Sequence, residues 1–236
     1  MIHRTKEADI HYLRIGSGPP LVLLHGNGED HRVFLELADA LKATYTLYPI
    51  DSRNHGSSTS TGDYTYANCA RDVIGLLDAL ALKNAFLLGF SDGGIIGLMV
   101  AIERPRLLSG LIVAGANLNP KGLKKSCRQA IQRDYDAYRR SSDLLMLREP
   151  DIKKEDLKRI GIPTLVLAGE NDLVHRAHTQ SIARHIPKSE LLILKDHDHY
   201  DYILHSSRLE HVIRRFIIQT VRSKSTETTD RDERDV

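Results

Sequence analysis

Short apolar runs alternate with stretches whose apolar positions recur every three or four residues. That is the pattern of a largely parallel sheet covered by helices. Residues 2–15 alternate apolar and polar positions and predict an edge hairpin, which Gly16-Ser17-Gly18-Pro19-Pro20 ends. Leu21-Val22-Leu23-Leu24 carries no polar side chain and predicts a strand buried on both faces. Further strands follow at 46–50, 85–88, 110–114, 164–168 and 191–194. Helical spacing appears over 33–42 through Phe34, Leu37, Ala38 and Leu41, and again at Val73, Leu76, Leu77 and Leu80. Three more helices are predicted at 95–103, 176–185 and 206–221, the last with Leu209, Val212, Ile213, Phe216 and Ile217 on one face.

One segment departs from the alternation. Between Asn117 and Pro163 no strand is predicted, only a charged helical stretch over 120–140 and a shorter one near 151–159. Such an insertion, at about 118–160, predicts a short helical cap over the sheet edge and a partly open site beneath it. Beyond it, residues 223–236 mix charges with Ser and Thr and carry almost no apolar side chain, so a disordered polar tail is expected. The organisation is one α/β domain over 1–222, doubly wound around a mostly parallel sheet.

Composition narrows the functional classes. A chain of 236 residues fits a single α/β domain better than two small ones. A formal charge of +2 is too small to argue for nucleic acid. No apolar stretch approaches the roughly 20 residues that span a bilayer, and residues 1–6 lack the apolar core of a secretion signal. A cytoplasmic location and no membrane partner are therefore expected. Cys69 and Cys127 have neither metal nor redox spacing and read as reduced thiols. The sequence leaves the oligomeric state open.

The chemistry concentrates at Gly89-Phe90-Ser91-Asp92-Gly93, directly after an apolar strand and before a helix. A serine hydroxyl needs a base and exposure to act as a nucleophile. A G-x-S-x-G turn gives the exposure, because bulkier residues at either glycine would clash. The plainer reading is a serine that caps the helix after it.

At this point the chain resembles the α/β-hydrolase superfamily, over nearly all of residues 10–221. His25-Gly26-Asn27-Gly28 looks like the oxyanion loop, and Asp51-Ser52-Arg53-Asn54-His55-Gly56-Ser57-Ser58 like the D-x-R-G-H-G-x-S loop. Residues 89–93 correspond to the nucleophile elbow. The run Gly-Phe-Ser-Asp-Gly-Gly-Ile is similar to the valacyclovir-hydrolase-like branch, which implies small ester substrates. The chain departs from the family at Asn54, where glycine is usual; Asn tolerates positive φ better than most residues.

The resemblance implies roles. Ser91 would be the nucleophile. His199, in the loop just after the last core strand, would be the base, with His197 as its rival. Asp172 would orient the base; Glu170 and Asp198 are weaker choices, and Asn171-Asp172 could also be a simple turn. The main-chain N–H groups of Asn27 and Asp92 would hold the oxyanion. Their side chains are the expected substrate contacts, the Asp92 carboxylate by pairing with a cationic group. Against that stands the view of Asp92 as a favourable charge at a helix N-terminus. Basic cap residues Lys121, Lys124, Lys125, Arg128 and Arg133 read as a solvated face or, less simply, as steering for an anionic substrate. His25 and Arg53 look supportive, holding the two loops by hydrogen bonds.

The implied function is a serine hydrolase cleaving a small carboxylic ester through an acyl-enzyme, with amide and thioester left open. Its partner is a small-molecule substrate. No cofactor or metal is expected, since the Asp/His run at 196–199 offers no second ligand set. Carbon–carbon bond hydrolysis and perhydrolysis use the same parts. A ligand-binding regulatory protein that keeps the pocket is the alternative outside enzymes.

Overall fold

The structure is a computed structural model and describes residues 1–232. The first strands, β1 (Ile2–Arg4) and β2 (Asp9–His11), pair antiparallel as the predicted hairpin, in a two-stranded sheet of their own. The main sheet has seven strands: β3 (Ile15–Gly16), β4 (Pro20–Leu24), β5 (Thr46–Ile50), β6 (Ala85–Phe90), β7 (Leu108–Ala114), β8 (Thr164–Gly169) and β9 (Ser189–Leu194). Their order is β3-β5-β4-β6-β7-β8-β9, parallel throughout except for β3 against β5.

Period-two alternation divides the strand residues between two cores. In β4, Leu21 and Leu23 face one layer, with α1 (Leu35–Leu41) and α7 (Glu210–Asp232). Val22 and Leu24 face the other, with α2 (Tyr66–Ala79), α3 (Asp92–Glu103) and α6 (Arg176–His185). All four side chains are fully buried, which is why this strand reads as unbroken apolar sequence. The outer strand β9 is only partly covered, and Leu191 is exposed there.

The cap leaves the sheet after β7 and returns before β8. It holds α4 (Lys125–Tyr138) and α5 (Ser141–Arg148), with short 3-10 turns at Pro120–Gly122 and Asp156–Arg159. The expected helix over 120–140 therefore begins at Lys125, and α5 lies where the sequence predicts no element. Its apolar residues Leu144, Leu145, Met146 and Leu147 are consecutive, so they give no helical period. The base of the cap is pinched by a hydrogen bond from the Ile152 N–H to the Leu118 carbonyl, 2.9 Å. Nearby, His178 accepts the Leu118 N–H (2.9 Å) and is kept neutral by burial, which lowers its pKa, with Lys154 pushing the same way.

The C-terminus corrects one expectation. Helix α7 runs through Asp232, so the tail expected to be disordered from residue 223 is helical as far as 232; residues 233–236 lie outside the described residues. Leu209, Ile213, Phe216 and Ile217 anchor the helix in the core. Once a helix is nucleated, each further residue adds a hydrogen bond at low cost, and residues 222–232 contain no Gly or Pro to stop it.

Candidate active site

Ser91 sits between the end of β6 and the start of α3, with φ 51° and ψ −114°. Few side chains adopt that conformation, and holding it costs on the order of 1–3 kcal/mol. The Ser91 N–H donates to the Ala114 carbonyl at 2.8 Å, which fixes the turn against β7. The flanking glycines are demanded by space: a Cβ on Gly89 would overlap the Gly93 carbonyl, and one on Gly93 would overlap the Leu24 carbonyl. No side-chain bond to the helix end is made by Ser91, so its hydroxyl is not a cap.

That hydroxyl meets His199, whose Nε2 lies 3.1 Å from Oγ. The other ring nitrogen, Nδ1, lies 2.7 Å from Asp172 Oδ1. A carboxylate can only accept, so Nδ1 carries the proton and Nε2 is the acceptor for the serine O–H. Asp172 is held in turn by the N–H groups of Val174 (2.9 Å) and Gly169 (3.3 Å). His199 and Asp172 are 4% and 2% exposed, so water does not compete for their bond. Phe90 and Tyr200 pack on the imidazole, each with ring centroids 4.9 Å away. The rivals are placed elsewhere: His197 pairs with Asp201 (3.0 Å), Asp198 accepts from the N–H groups of Tyr200 and Asp201, and Glu170 accepts from the Asp196 N–H.

The loop of residues 25–28 is fixed by hydrogen bonds to the rings of His25 and His55. His25 Nδ1 donates to the Gly26 carbonyl (2.7 Å), and Nε2 accepts the Ser52 N–H (3.1 Å). Burial, with His55 adding to it, brings the His25 pKa down to about 4 and keeps that bonding pattern across the neutral range. His55 Nε2 accepts the Gly28 N–H at 3.0 Å. Among the described residues no acceptor meets the main-chain N–H of Asn27 or of Asp92. Asp92 opens α3, so its N–H has no partner within the helix. Asn54 has φ 66° and closes its loop through Thr61, donating to the carbonyl (3.0 Å) and accepting the N–H (2.6 Å), so asparagine fills the usual glycine position.

Ser91 and His199 open on a cavity of about 310 Å³, roofed by Leu123, Cys127 and Ile131 from the cap and bounded by Tyr200. Here the structure corrects the expected substrate contacts. The Asp92 carboxylate is buried and does not line the cavity; Asn27 Nδ2 donates to it at 3.1 Å and Tyr66 hydrogen-bonds to it. Burial raises its pKa, against the pull of those two bonds. Asn27 does line the cavity, but its Nδ2 is engaged by Asp92 and by the Ser142 carbonyl of α5 (3.4 Å). None of Lys121, Lys124, Lys125, Arg128 or Arg133 lines the cavity either.

The charged lining comes instead from Glu29, Asp134, Arg140 and Asp143, which sequence reasoning missed. Arg140 bridges the two aspartates, Nε to Asp143 at 2.7 Å and Nη2 to Asp134 at 3.4 Å. Glu29 accepts the Gly26 N–H (2.9 Å), and burial pushes its pKa up to about 7, with Gly26 and His199 pulling the other way. The signal was an acidic residue directly after the His-Gly-Asn-Gly loop.

Glu29 gives a signed pH prediction. Its folded pKa lies above the ordinary 4.5, so the stability it confers is complete below pH 4.5 and is lost as pH rises through about 7. The loss is at most about 3 kcal/mol. Glu29→Gln keeps the acceptor for Gly26 and cannot ionise. Urea unfolding should show parent and variant nearly equal at pH 4.5 and the variant more stable at pH 8; equal stability at pH 8 would contradict the burial argument.

The strand order, the cap inserted after β7 and the strained turn at Ser91 place the protein among the hydrolases of the α/β class. Comparison with known proteins agrees. The chain belongs to the alpha/beta hydrolase fold family, whose family model matches residues 19–142. It is 26% identical to mouse (Mus musculus) serine hydrolase BPHL over 88% of this chain and 82% of that protein. A shorter match, 38% identical over 47% of the chain, is to the Xenopus laevis sn-1-specific diacylglycerol lipase ABHD11, of whose length it spans 37%. Among solved structures, Est816, described as an N-acyl homoserine lactone degrading enzyme, superposes with a TM-score of 0.78. That likeness is 23% identical and covers 92% of this chain and all of the other. Among the described residues no helix is long and apolar enough to cross a membrane.

Proposed function

We propose that this hydrolase is a serine carboxylesterase acting on small esters through an acyl-enzyme. The observation that carries the reading is the unbroken line from Ser91 Oγ through His199 to Asp172, opening on a cavity at the small end of the usual range for ligand sites. Ser91 Oγ attacks the ester carbonyl carbon while His199 Nε2 takes its proton. The Asp172 carboxylate stabilises the imidazolium that results. The N–H groups of Asn27 and Asp92 hold the oxyanion, a contribution of roughly 3 kcal/mol for each donor. The imidazolium then protonates the departing alkoxide, leaving Ser91 acylated. His199 next deprotonates a water, which attacks the acyl carbonyl, and collapse returns the proton to Ser91 and releases the acid. The likeness to serine hydrolase BPHL over most of both chains supports a serine hydrolase.

The test is a fluorophosphonate probe with a panel of p-nitrophenyl esters of increasing acyl length. Ser91 should be labelled within minutes, and acetate or butyrate should turn over faster than octanoate, because the cap leaves little room for a long chain. Folded protein that takes no label would favour a binding protein instead. Turnover of a diketone without turnover of any ester would move the assignment to carbon–carbon cleavage.

A further inference from the structure

Asp51, just beyond β5, is fully buried, and two imidazoles from other elements converge on it. His11, at the end of β2, places Nδ1 3.0 Å from Oδ2. His31, where a 3-10 turn (His31–Phe34) begins after the oxyanion loop, places Nδ1 2.8 Å from Oδ1. All the potential ligand atoms lie within 4.8 Å of one another, and the rings stand 5.2 Å apart at 53°.

Main-chain bonds fix this arrangement. The N–H groups of His31 (2.8 Å) and Ser57 (2.9 Å) each donate to one carboxylate oxygen. The His11 N–H donates to Ser58 Oγ (2.8 Å), whose own O–H donates to the Asp51 carbonyl (2.7 Å), and the Asp51 N–H donates back to the His11 carbonyl (2.9 Å). One carboxylate thus accepts from two amides and two imidazoles, two donors on each oxygen. The histidine side chains are 19% and 17% exposed, so a small ion can reach them from solvent.

We propose that His11, His31 and Asp51 form a binding site for one divalent transition cation of the zinc class. Two imidazole nitrogens and a carboxylate suit zinc or cobalt and not calcium or magnesium, which take oxygen ligands. With metal–ligand bonds of about 2.0–2.2 Å, the ligands of a tetrahedral ion stand about 3.3 Å apart. The two imidazole–carboxylate separations, 3.0 and 2.8 Å, need to open by a few tenths of an ångström, while the ligand atoms now as far as 4.8 Å apart have to close, so both rings turn inward on binding. On binding, each imidazole loses the Nδ1 proton it donates to Asp51 and carries its proton on Nε2 instead, so that the Nδ1 lone pair faces the ion. A water completes the shell. The ion would join β2 to the segment after the oxyanion loop and to the 51–58 loop, whose His55 holds Gly28. It would act as a clasp on those loops and take no part in bond cleavage.

Chelator-treated full-length protein titrated with Co²⁺ should bind one equivalent in the micromolar range, with the visible bands of a four-coordinate ion, and Zn²⁺ should displace it and raise Tm. His11→Gln and His31→Gln should each weaken binding at least tenfold, while His197→Gln, whose imidazole pairs with Asp201, should leave it unchanged. Histidine-labelled NMR of the parent gives a reading that depends on no variant: Zn²⁺ should move the ring nitrogens of His11 and His31. No Co²⁺ binding by the parent, equal binding in the two Gln variants, or Zn²⁺ shifts confined to other histidines would overturn the site.

Discussion

Ser91→Ala should lower kcat on p-nitrophenyl acetate by about 10⁴ or more while leaving the fold intact. The Ser91 hydroxyl stands 3.1 Å from His199 Nε2, the contact that the proposed proton transfer uses. His199→Ala should cost about as much, and the double variant little more than either single, since the two act as a unit. His197→Ala is the internal control: its ring is tied to Asp201 and should be silent. Matched circular dichroism and Tm would show that loss of rate is not loss of structure. If His199→Ala stayed active and His197→Ala died, the proposed base would be wrong.

The largest effect on stability is expected at Asp72. Its carboxylate receives Arg53 Nε at 2.7 Å and Nη2 at 2.8 Å, and the guanidinium is 2% exposed. Arg53 has two further acceptors, the Asp63 carbonyl (2.9 Å) and the exposed Glu7 (3.4 Å), which cannot neutralise a buried charge equally well. Asp72→Ala should therefore cost about 3–5 kcal/mol in urea unfolding. That is a large share of the roughly 5–15 kcal/mol that holds a typical domain together. Replacing both partners by apolar residues, Arg53→Met with Asp72→Leu, should recover most of the loss. A cost below about 1 kcal/mol for Asp72→Ala would mean water reaches the arginine.

Most of the sheet was legible because its inner strands are buried on both faces and carry nearly unbroken apolar sequence; β5 and helix α6 fall on their predicted residues. Ser91 was legible because steric demand forces glycine on both sides. His199 and Asp172 needed the family resemblance, since residue type alone leaves His197, Glu170 and Asp198 equal to them. The cavity lining was hidden for a different reason. Asp92 looks available in sequence, yet only the fold shows Tyr66 and Asn27 closing on it. Glu29 and Arg140 look like ordinary surface charges until the cap brings α5 over the loop. The cluster at His11, His31 and Asp51 has no local spacing to betray it, because its members come from three separate segments.

The pinch between Leu118 and Ile152 makes the intervening stretch detachable. Its two ends already touch, so exchanging what lies between them asks almost nothing of chain closure. A lineage could graft a longer or shorter lid there, widening or narrowing its diet of substrates, while the seven strands below kept their reactive groups in register.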